Sequence, residues 1–277
     1  RLIWCGISGY GPSGPYAAKK AYDLLVQCEA GLLSVTGTPE TPVKAGIPAA
    51  DIAAGMYAFT SILAALVRRG RTGEGATIEV TMLEALGEWM GFPAYFTAYG
   101  GAAPPRSGPY HATIVPYGPF KAGDGQTVFL SVQNEREFAS FCDRVLGKPG
   151  LKTDQRFASG PARFRNRDAF HGEVDAVFSQ LKAAEIIARL EAADIANARL
   201  NDMKGFWNHP QLRARGRWAK VGSPAGELDM LKPPFNLSGF EPRLDPVPAL
   251  GEHSRAILAE VGYDAAEIEA LAAAGTI

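Results

Sequence analysis

The spacing of hydrophobic positions changes several times along this chain, and each change marks an element. Leu2 to Ser8 is a continuous apolar run of strand length and predicts a core strand. Lys19 to Ala30 switches to helical spacing, with Tyr22, Leu25, Val26 and Glu29 along one side and Gly31 as the stop. Ser34 to Gly46 is a polar loop, and a turn ending at Pro48 delivers the longest apolar stretch. From Ile52 to Val67 there is no charge, which predicts a helix buried on most sides and ended by Arg68, Arg69 and Gly70. Thr77 to Val80 follows as a short strand, and Met82 to Tyr99 as a second, largely apolar helix.

Gly100 to Pro109, rich in Gly and Pro, is the clearest linker, and the texture changes beyond it. Tyr110 to Phe120 and Val128 to Val132 predict strands around a turn at Asp124 and Gly125. Glu135 to Leu146 is helical, and Phe164 to Leu190 carries one or two amphipathic helices. Asn201 and Asp202 lead into a short helix before His209 to Arg213. Strand-like stretches surround Trp218 and Leu228, and a helix pair spans Ser254–Val261 and Ala265–Ala274. No internal repeat is visible. The order predicts an α/β protein with an inserted module. A large α/β domain takes residues 1–99, a linker 100–107, a small α+β domain 108–197, and the chain returns to the large domain over 198–277.

Charge narrows the function classes. With 28 basic and 29 acidic residues the net charge is -1, which makes no case for nucleic acid or an anionic membrane surface. The Ile52–Val67 run is shorter than the ~20 residues a membrane span needs. No signal-peptide pattern appears, so the cytoplasm is the expected compartment. Cys5, Cys28 and Cys142 form no CxxC pair and read as buried thiols in a reducing compartment. His171, His209 and His253 have no partner at metal-ligand spacing, so no metal is expected. Arg1 runs straight into the first strand without an initiator Met, and an N-terminal segment is expected to be absent.

Asp51 heads the long apolar helix, near the positive end of its dipole. An Asp there is ordinarily a cap holding an orphan N–H. Gly55, one turn on, leaves the space beside the carboxylate free of a side chain. Gly9, Gly11 and Gly14 formally match G-x-G-x-x-G after a strand. Pro12 and Pro15 break the loop where a dinucleotide site wants a helix to begin, so it reads as a mobile or ligand-edge loop.

Four stretches in order resemble the family III CoA-transferases, the group of formyl-CoA and carnitine CoA-transferases. They are Leu2 to Gly11 with Gly14 and Pro15; Lys20, Ala21, Tyr22 and Asp23, continuing through Gln27 and Gly31 to Thr36 and Gly37; Pro48, Asp51, Gly55 and Met56; and His209 to Leu212 with Leu250 to His253. The resemblance implies a Rossmann-like large domain with an inserted small domain. It implies that Asp51 is the catalytic aspartate, acylated by an acyl-CoA to a mixed anhydride and then carried as an aspartyl-CoA thioester. Free N–H groups at the helix start, with Gly55, are expected to stabilise the oxyanion. Lys20, Ala21, Tyr22 and Asp23 match the segment lining the CoA site, and His111 matches a substrate-side loop. The glycine-rich loop of formyl-CoA transferase has no counterpart near His111.

CoA and acyl-CoA are then substrates, with no permanently bound cofactor, and the partners are acyl-CoA, a small carboxylic acid and a second copy in an interlocked homodimer. The sequence does not specify the donor and acceptor acids; dicarboxylates such as succinate or mesaconate are examples. Related acyl-CoA racemases place a catalytic His where Tyr22 stands, and tyrosine, with a pKa of about 10, is a poor base at neutral pH. Racemisation is the alternative activity, and a non-catalytic CoA-binding subunit a third.

Overall fold

Two parallel strands begin the architecture. In the computed structural model, which describes residues 1–277, β1 (Ile3–Ser8) lies beside β2 (Ala76–Thr81), registered from Ile3↔Ala76 to Ser8↔Thr81. Parallel strands need a crossover, and here it consists of α1 (Asp23–Glu29), α2 (Leu32–Val35) and α3 (Ala49–Thr72). Gly75 permits the close return to β1, since a Cβ there would lie 2.0 Å from the Leu2 carbonyl oxygen. The Lys19–Ala30 helix is shorter than predicted, because Tyr22 is still extended (φ -143°, ψ 155°). The polar loop after Gly31 begins with the four residues of α2.

The long apolar helix forms, but it is buried along one side only and not on most sides. Its buried residues are all alanines: Ala49, Ala50, Ala53, Ala54, Ala58 and Ala65. Ile52, Met56, Phe59, Leu63, Leu66 and Val67 are exposed. An apolar stretch without charges carries no mark of which side faces the core. Small side chains let α3 lie close against Cys5, Ile78 and Val80 of the two strands and Ala85 beyond them. The open face of β1 is a second departure from the expected core strand: Trp4 is 56% exposed and lies over Gly6. At 24 residues, about 36 Å at 1.5 Å per residue, α3 is long and apolar enough to cross a bilayer by length and composition alone. The sixteen-residue reading from sequence was too short.

The second apolar helix is two helices, α4 (Met82–Trp89) and α5 (Gly91–Gly100), separated at Met90. Pro93 in the first turn of α5 has no N–H to continue the ladder of α4. Thr81 caps α4 by accepting from the Glu84 N–H at 3.0 Å. The linker is tied to the crossover: the Gly108 N–H donates to the Gly37 carbonyl at 2.8 Å, and the Arg106 guanidinium to the Thr38 and Pro39 carbonyls.

Beyond it, β3 (Tyr117–Lys121), β4 (Thr127–Ser131) and β5 (Ala196–Arg199) form an antiparallel sheet in that order. The Asp124-Gly125 turn joins β3 and β4, with Gly125 at φ 80°. The strand predicted from Tyr110 is confined to Tyr117–Lys121, and β5 had no alternation to reveal it. α6 (Glu135–Ser140) continues into a π-helical turn (Phe141–Val145) and a short 3-10 turn (Pro149–Lys152). α7 (Gly160–Arg165), α8 (Arg167–Phe178) and α9 (Ala183–Ala192) then make three helices where one or two were expected. Asn166 breaks the first pair, donating its side-chain amide to the Arg156 and Ala162 carbonyls. Phe120, Phe138, Phe141, Phe157, Phe170 and Phe178 form this module's aromatic core.

Cys142 lies inside that core, and burial, assisted by Asp143, pushes its thiol up to about 11. Cys28 is exposed and Cys5 half-buried, so only Cys142 meets the expectation of a buried thiol.

Residues 1–200 make one compact unit and 201–277 another. The second comprises α10 (Met203–Trp207), α11 (Pro210–Ala214), the hairpin of β6 (Trp218–Ser223) and β7 (Gly226–Leu231), then α12 (Ser254–Glu260) and α13 (Ala265–Ala273). Asp202 and Asp264 cap α10 and α13, as short acids before helical runs should.

Candidate active site

Pro48 occupies the N-cap of α3, so Asp51 is its third helical residue. A carboxylate there commonly reaches back to the N-cap N–H. Pro48 has none. The other customary role, accepting first-turn N–H groups, is filled from 28 residues upstream: Asp23 Oδ1 accepts from the Ala50 N–H at 2.8 Å and the Asp51 N–H at 3.4 Å. The capping function assigned by default to Asp51 therefore belongs to Asp23. The Asp51 carboxylate makes no hydrogen bond or ion pair and is exposed. It is an unengaged anion at the positive end of a 24-residue helix.

The same accounting corrects the oxyanion expectation. The Ala49 N–H donates to the Ile47 carbonyl, the Ala50 and Asp51 N–H groups to Asp23, and the Ile52 N–H to the Pro48 carbonyl. The first turn has no free donor left to offer a developing charge. Gly55 borders open space, since a Cβ at that position would meet nothing within 4 Å.

Asp23 is itself braced. Its Oδ2 accepts from Gln27 Nε2 at 2.6 Å, and the Gln27 amide also accepts from the Ala45 N–H at 3.0 Å. Gln27 is fully buried, and the sequence marks it within the second resembling stretch without assigning it a role. The signal was the i, i+4 spacing of an acid and an amide on one short helix. Ala21 packs where a Cβ on Gly9 would come within 2.1 Å of its methyl, which fixes the glycine loop against α1. Tyr22 is 71% exposed. Lys20 has no ion-pair partner, whereas Lys19 is paired with Glu29 and sits 3.9 Å over the Tyr16 ring. Lys20 is the uncommitted cation of this segment.

His111 lies in the turn before β3. Its Nδ1 accepts from the Thr113 and Ile114 N–H groups, its ring stacks on Tyr117 at 5.0 Å, and its carbonyl accepts from Arg167. Those contacts shape the turn and leave Nε2 open. No hydrogen bond links it to the Asp51 group. A cavity of about 270 Å³ between α3, β2 and α4 is lined by Tyr57, Glu79, Glu84 and Glu88. Three acids and no cation make it unsuited to phosphates. Asp51 is not in its wall.

Comparison with known proteins places these residues in a family. A model described as CoA-transferase family III matches residues 1–254. The chain is 31% identical to the succinyl-CoA:glutarate CoA-transferase of Mus musculus, with all of the chain and 64% of that protein covered. It is 33% identical to the acetyl-CoA:oxalate CoA-transferase of Acetobacter aceti, over 94% of the chain and 66% of that protein. Among solved structures, a CAIB/BAIF family protein from Brucella suis superposes with a TM-score of 0.80 at 32% identity, over 94% of this chain and 68% of that one. The chain thus spans just under two thirds of the length of these two transferases.

Proposed function

Because the chain belongs to CoA-transferase family III, we propose that it moves CoA from an acyl-CoA to a carboxylic acid, with the Asp51 carboxylate as the acylated group. What supports this most is that Asp51 is relieved of capping by Asp23 and Pro48. A carboxylate oxygen attacks the thioester carbonyl carbon, the C–S bond breaks, and CoA leaves as the thiolate. The thiolate attacks the aspartyl carbonyl of the resulting anhydride, releasing the donor acid and leaving an aspartyl-CoA thioester. The acceptor carboxylate repeats the first exchange from its side, and the returning thiolate carries CoA away on the acceptor. Every step exchanges one anion for another, so no base is required.

The anhydride lies uphill of a thioester, so binding energy from the remote parts of CoA and exclusion of water must sustain it. Lys20 meets a CoA phosphate or an acyl carboxylate in this reading, Ala21 and Tyr22 line the same site, and His111 offers Nε2 to the acid. The relatives are named for succinate, glutarate and oxalate, which makes a dicarboxylate the proposed acceptor. The parallel strand pair belongs to a Rossmann-like large domain, and the protein acts in the cytoplasm. Asp51 stands on an exposed face, and a homodimer would cover it. The exposed apolar residues of α3 and α5 favour such an interface. Light scattering at micromolar concentration is expected to give twice the chain mass; a monomer removes the dimer from the reading.

The direct test is mass spectrometry after incubation with succinyl-CoA, reading the peptide that contains Asp51. A CoA adduct there is expected, and its absence while exchange proceeds excludes the covalent route. Racemisation would instead wash the α-proton into deuterated water without an acceptor acid. Gly55→Ala separates stability from activity. Gly in a helix interior costs about 0.5–1 kcal/mol relative to Ala, so the substitution is expected to raise the thermal midpoint by roughly 1–3 °C. Its methyl group enters the open space one turn beyond Asp51, and transfer is expected to fall by about tenfold or more. Unchanged transfer would take Gly55 out of the site.

A further inference from the structure

We infer that Gln27 is a positioning residue for Asp51, acting through Asp23; this rests on the reading of Asp51 as the acylated group. Gln27 is 0% exposed, and a buried amide is held only where its donors and acceptors are met. Here they are met by Asp23 one turn away and by the loop of Ala45 and Ile47. Oε1 accepts from the Ala45 N–H at 3.0 Å, while Nε2 donates to Asp23 Oδ2 at 2.6 Å and faces the Ile47 carbonyl at 3.4 Å. One side chain therefore sets both the loop that delivers Pro48 and the carboxylate that receives the first N–H groups of α3.

The first turn of α3 has little else to locate it. Its buried side chains are the methyl groups of Ala49 and Ala50, which gain burial energy but have no shape to resist a shift. Asp23 alone could rotate and exchange its two oxygens at the helix start. The bond from Gln27 pins Oδ2, which leaves Oδ1 facing the Ala50 and Asp51 N–H groups. Both oxygens of Asp23 are thereby engaged, one by Gln27 and one by the helix start. A displacement of about 1 Å at a reacting group costs on the order of 10²-fold in rate. The relay Gln27–Asp23–Asp51 holds the attacking carboxylate within that tolerance.

Gln27→Leu keeps the apolar bulk and removes all three contacts. Turnover is expected to fall roughly 10- to 100-fold with KM for acyl-CoA within about threefold of wild type. Hydrogen exchange at the Ala50 and Asp51 amides should accelerate at least about tenfold, with the second half of α3 unchanged. The exchanged pair supplies the rescue. Gln27→Glu alone sets two carboxylates against each other. Asp23→Asn combined with Gln27→Glu restores one donor between them, keeps an acceptor for the Ala50 N–H, and keeps one for Ala45. The double variant should recover at least about tenfold of the turnover lost in Gln27→Glu. Wild-type turnover per folded molecule in Gln27→Leu overturns the inference, and so does the lack of any rescue. If Asp51→Ala is inactive while Gln27→Leu is not, the positioning role falls and acylation at Asp51 stands. If the wild-type chain exchanges no CoA yet Gln27→Leu frees the two amides, the acylation reading falls and the anchoring stands.

Discussion

Asp51→Ala is expected to lower CoA exchange by at least about 10³-fold, as removal of a covalent nucleophile does, while leaving the fold intact. The two effects separate because of who caps α3. An Asp that is itself the cap loses about 0.5–2 kcal/mol of stability on replacement by Ala. Here the cap is Asp23, and the backbone N–H of residue 51 survives the substitution. What the variant gives up is an acid near the helix dipole, about 0.3–1 kcal/mol. What it gains is the better helix former, by a few tenths to ~0.7 kcal/mol. These nearly cancel, so the urea midpoint should move little. Asp51→Asn should be equally inactive, since an amide of the same shape cannot be acylated this way. Asp51→Glu keeps the charge but moves it by one methylene, and is expected to retain no more than about a hundredth of the rate. Near-normal exchange in Asp51→Ala with a loss of 1–2 kcal/mol would return Asp51 to the ordinary role of a cap.

The sequence carries the position of Asp51 and hides the reason it is free. Pro48, an acid and a long uncharged run mark a helix start at that residue, and the structure has it there. The cap comes from a helix 28 residues earlier, and no local pattern encodes a contact between chain segments so far apart. The orientation of α3 was hidden for a different reason. Large and small apolar residues are equivalent in a hydrophobic pattern, yet the alanine side faces the sheet and the bulky side does not. Pro93 did carry the break between α4 and α5, and the uniform apolar texture of Met82 to Tyr99 concealed its meaning. His111 was picked out by its surroundings in the resemblance. Its stack on Tyr117 and the bonds at Nδ1 explain the turn it occupies, and only Nε2 remains for chemistry. The buried polar groups, Gln27 and Arg163, are the residues that a reading based on hydrophobic periods is least able to find.

Arg163 is the larger case of such a residue, and its loss is expected to be the most damaging single change in the small module. The residue is 5% exposed, on α7 among the phenylalanines. Its guanidinium donates to both Glu135 oxygens, at 2.7 and 3.0 Å, and to the Val115 and Phe157 carbonyls at 3.2 and 3.0 Å. It also lies 4.0 Å over the Phe138 ring. Bringing a cation inside costs several kcal/mol, and only a full set of partners offsets it. Arg163→Met fills much of the volume but leaves two buried carbonyls without donors, so a loss of about 3–5 kcal/mol is expected. Glu135→Gln should cost only about 1 kcal/mol, because the Glu135 side chain is 63% exposed and water screens its half of the pair.

The hydrogen bond from Arg163 holds the Glu135 carboxyl below its ordinary value of 4.5. Its contribution is therefore complete above about pH 4.5 and fades as the pH falls through the lowered folded value. The gap between wild type and Arg163→Met should narrow in that acid range. A probe confined to this module already exists in Cys142, whose thiol is fully buried and resists ionisation. Pulsed thiol labelling across a urea series, read on the Cys142 peptide because Cys28 is exposed, reports the opening of the core around Arg163. A midpoint for Arg163→Met within about 1 kcal/mol of wild type would show that the four bonds return no more than the desolvation they require.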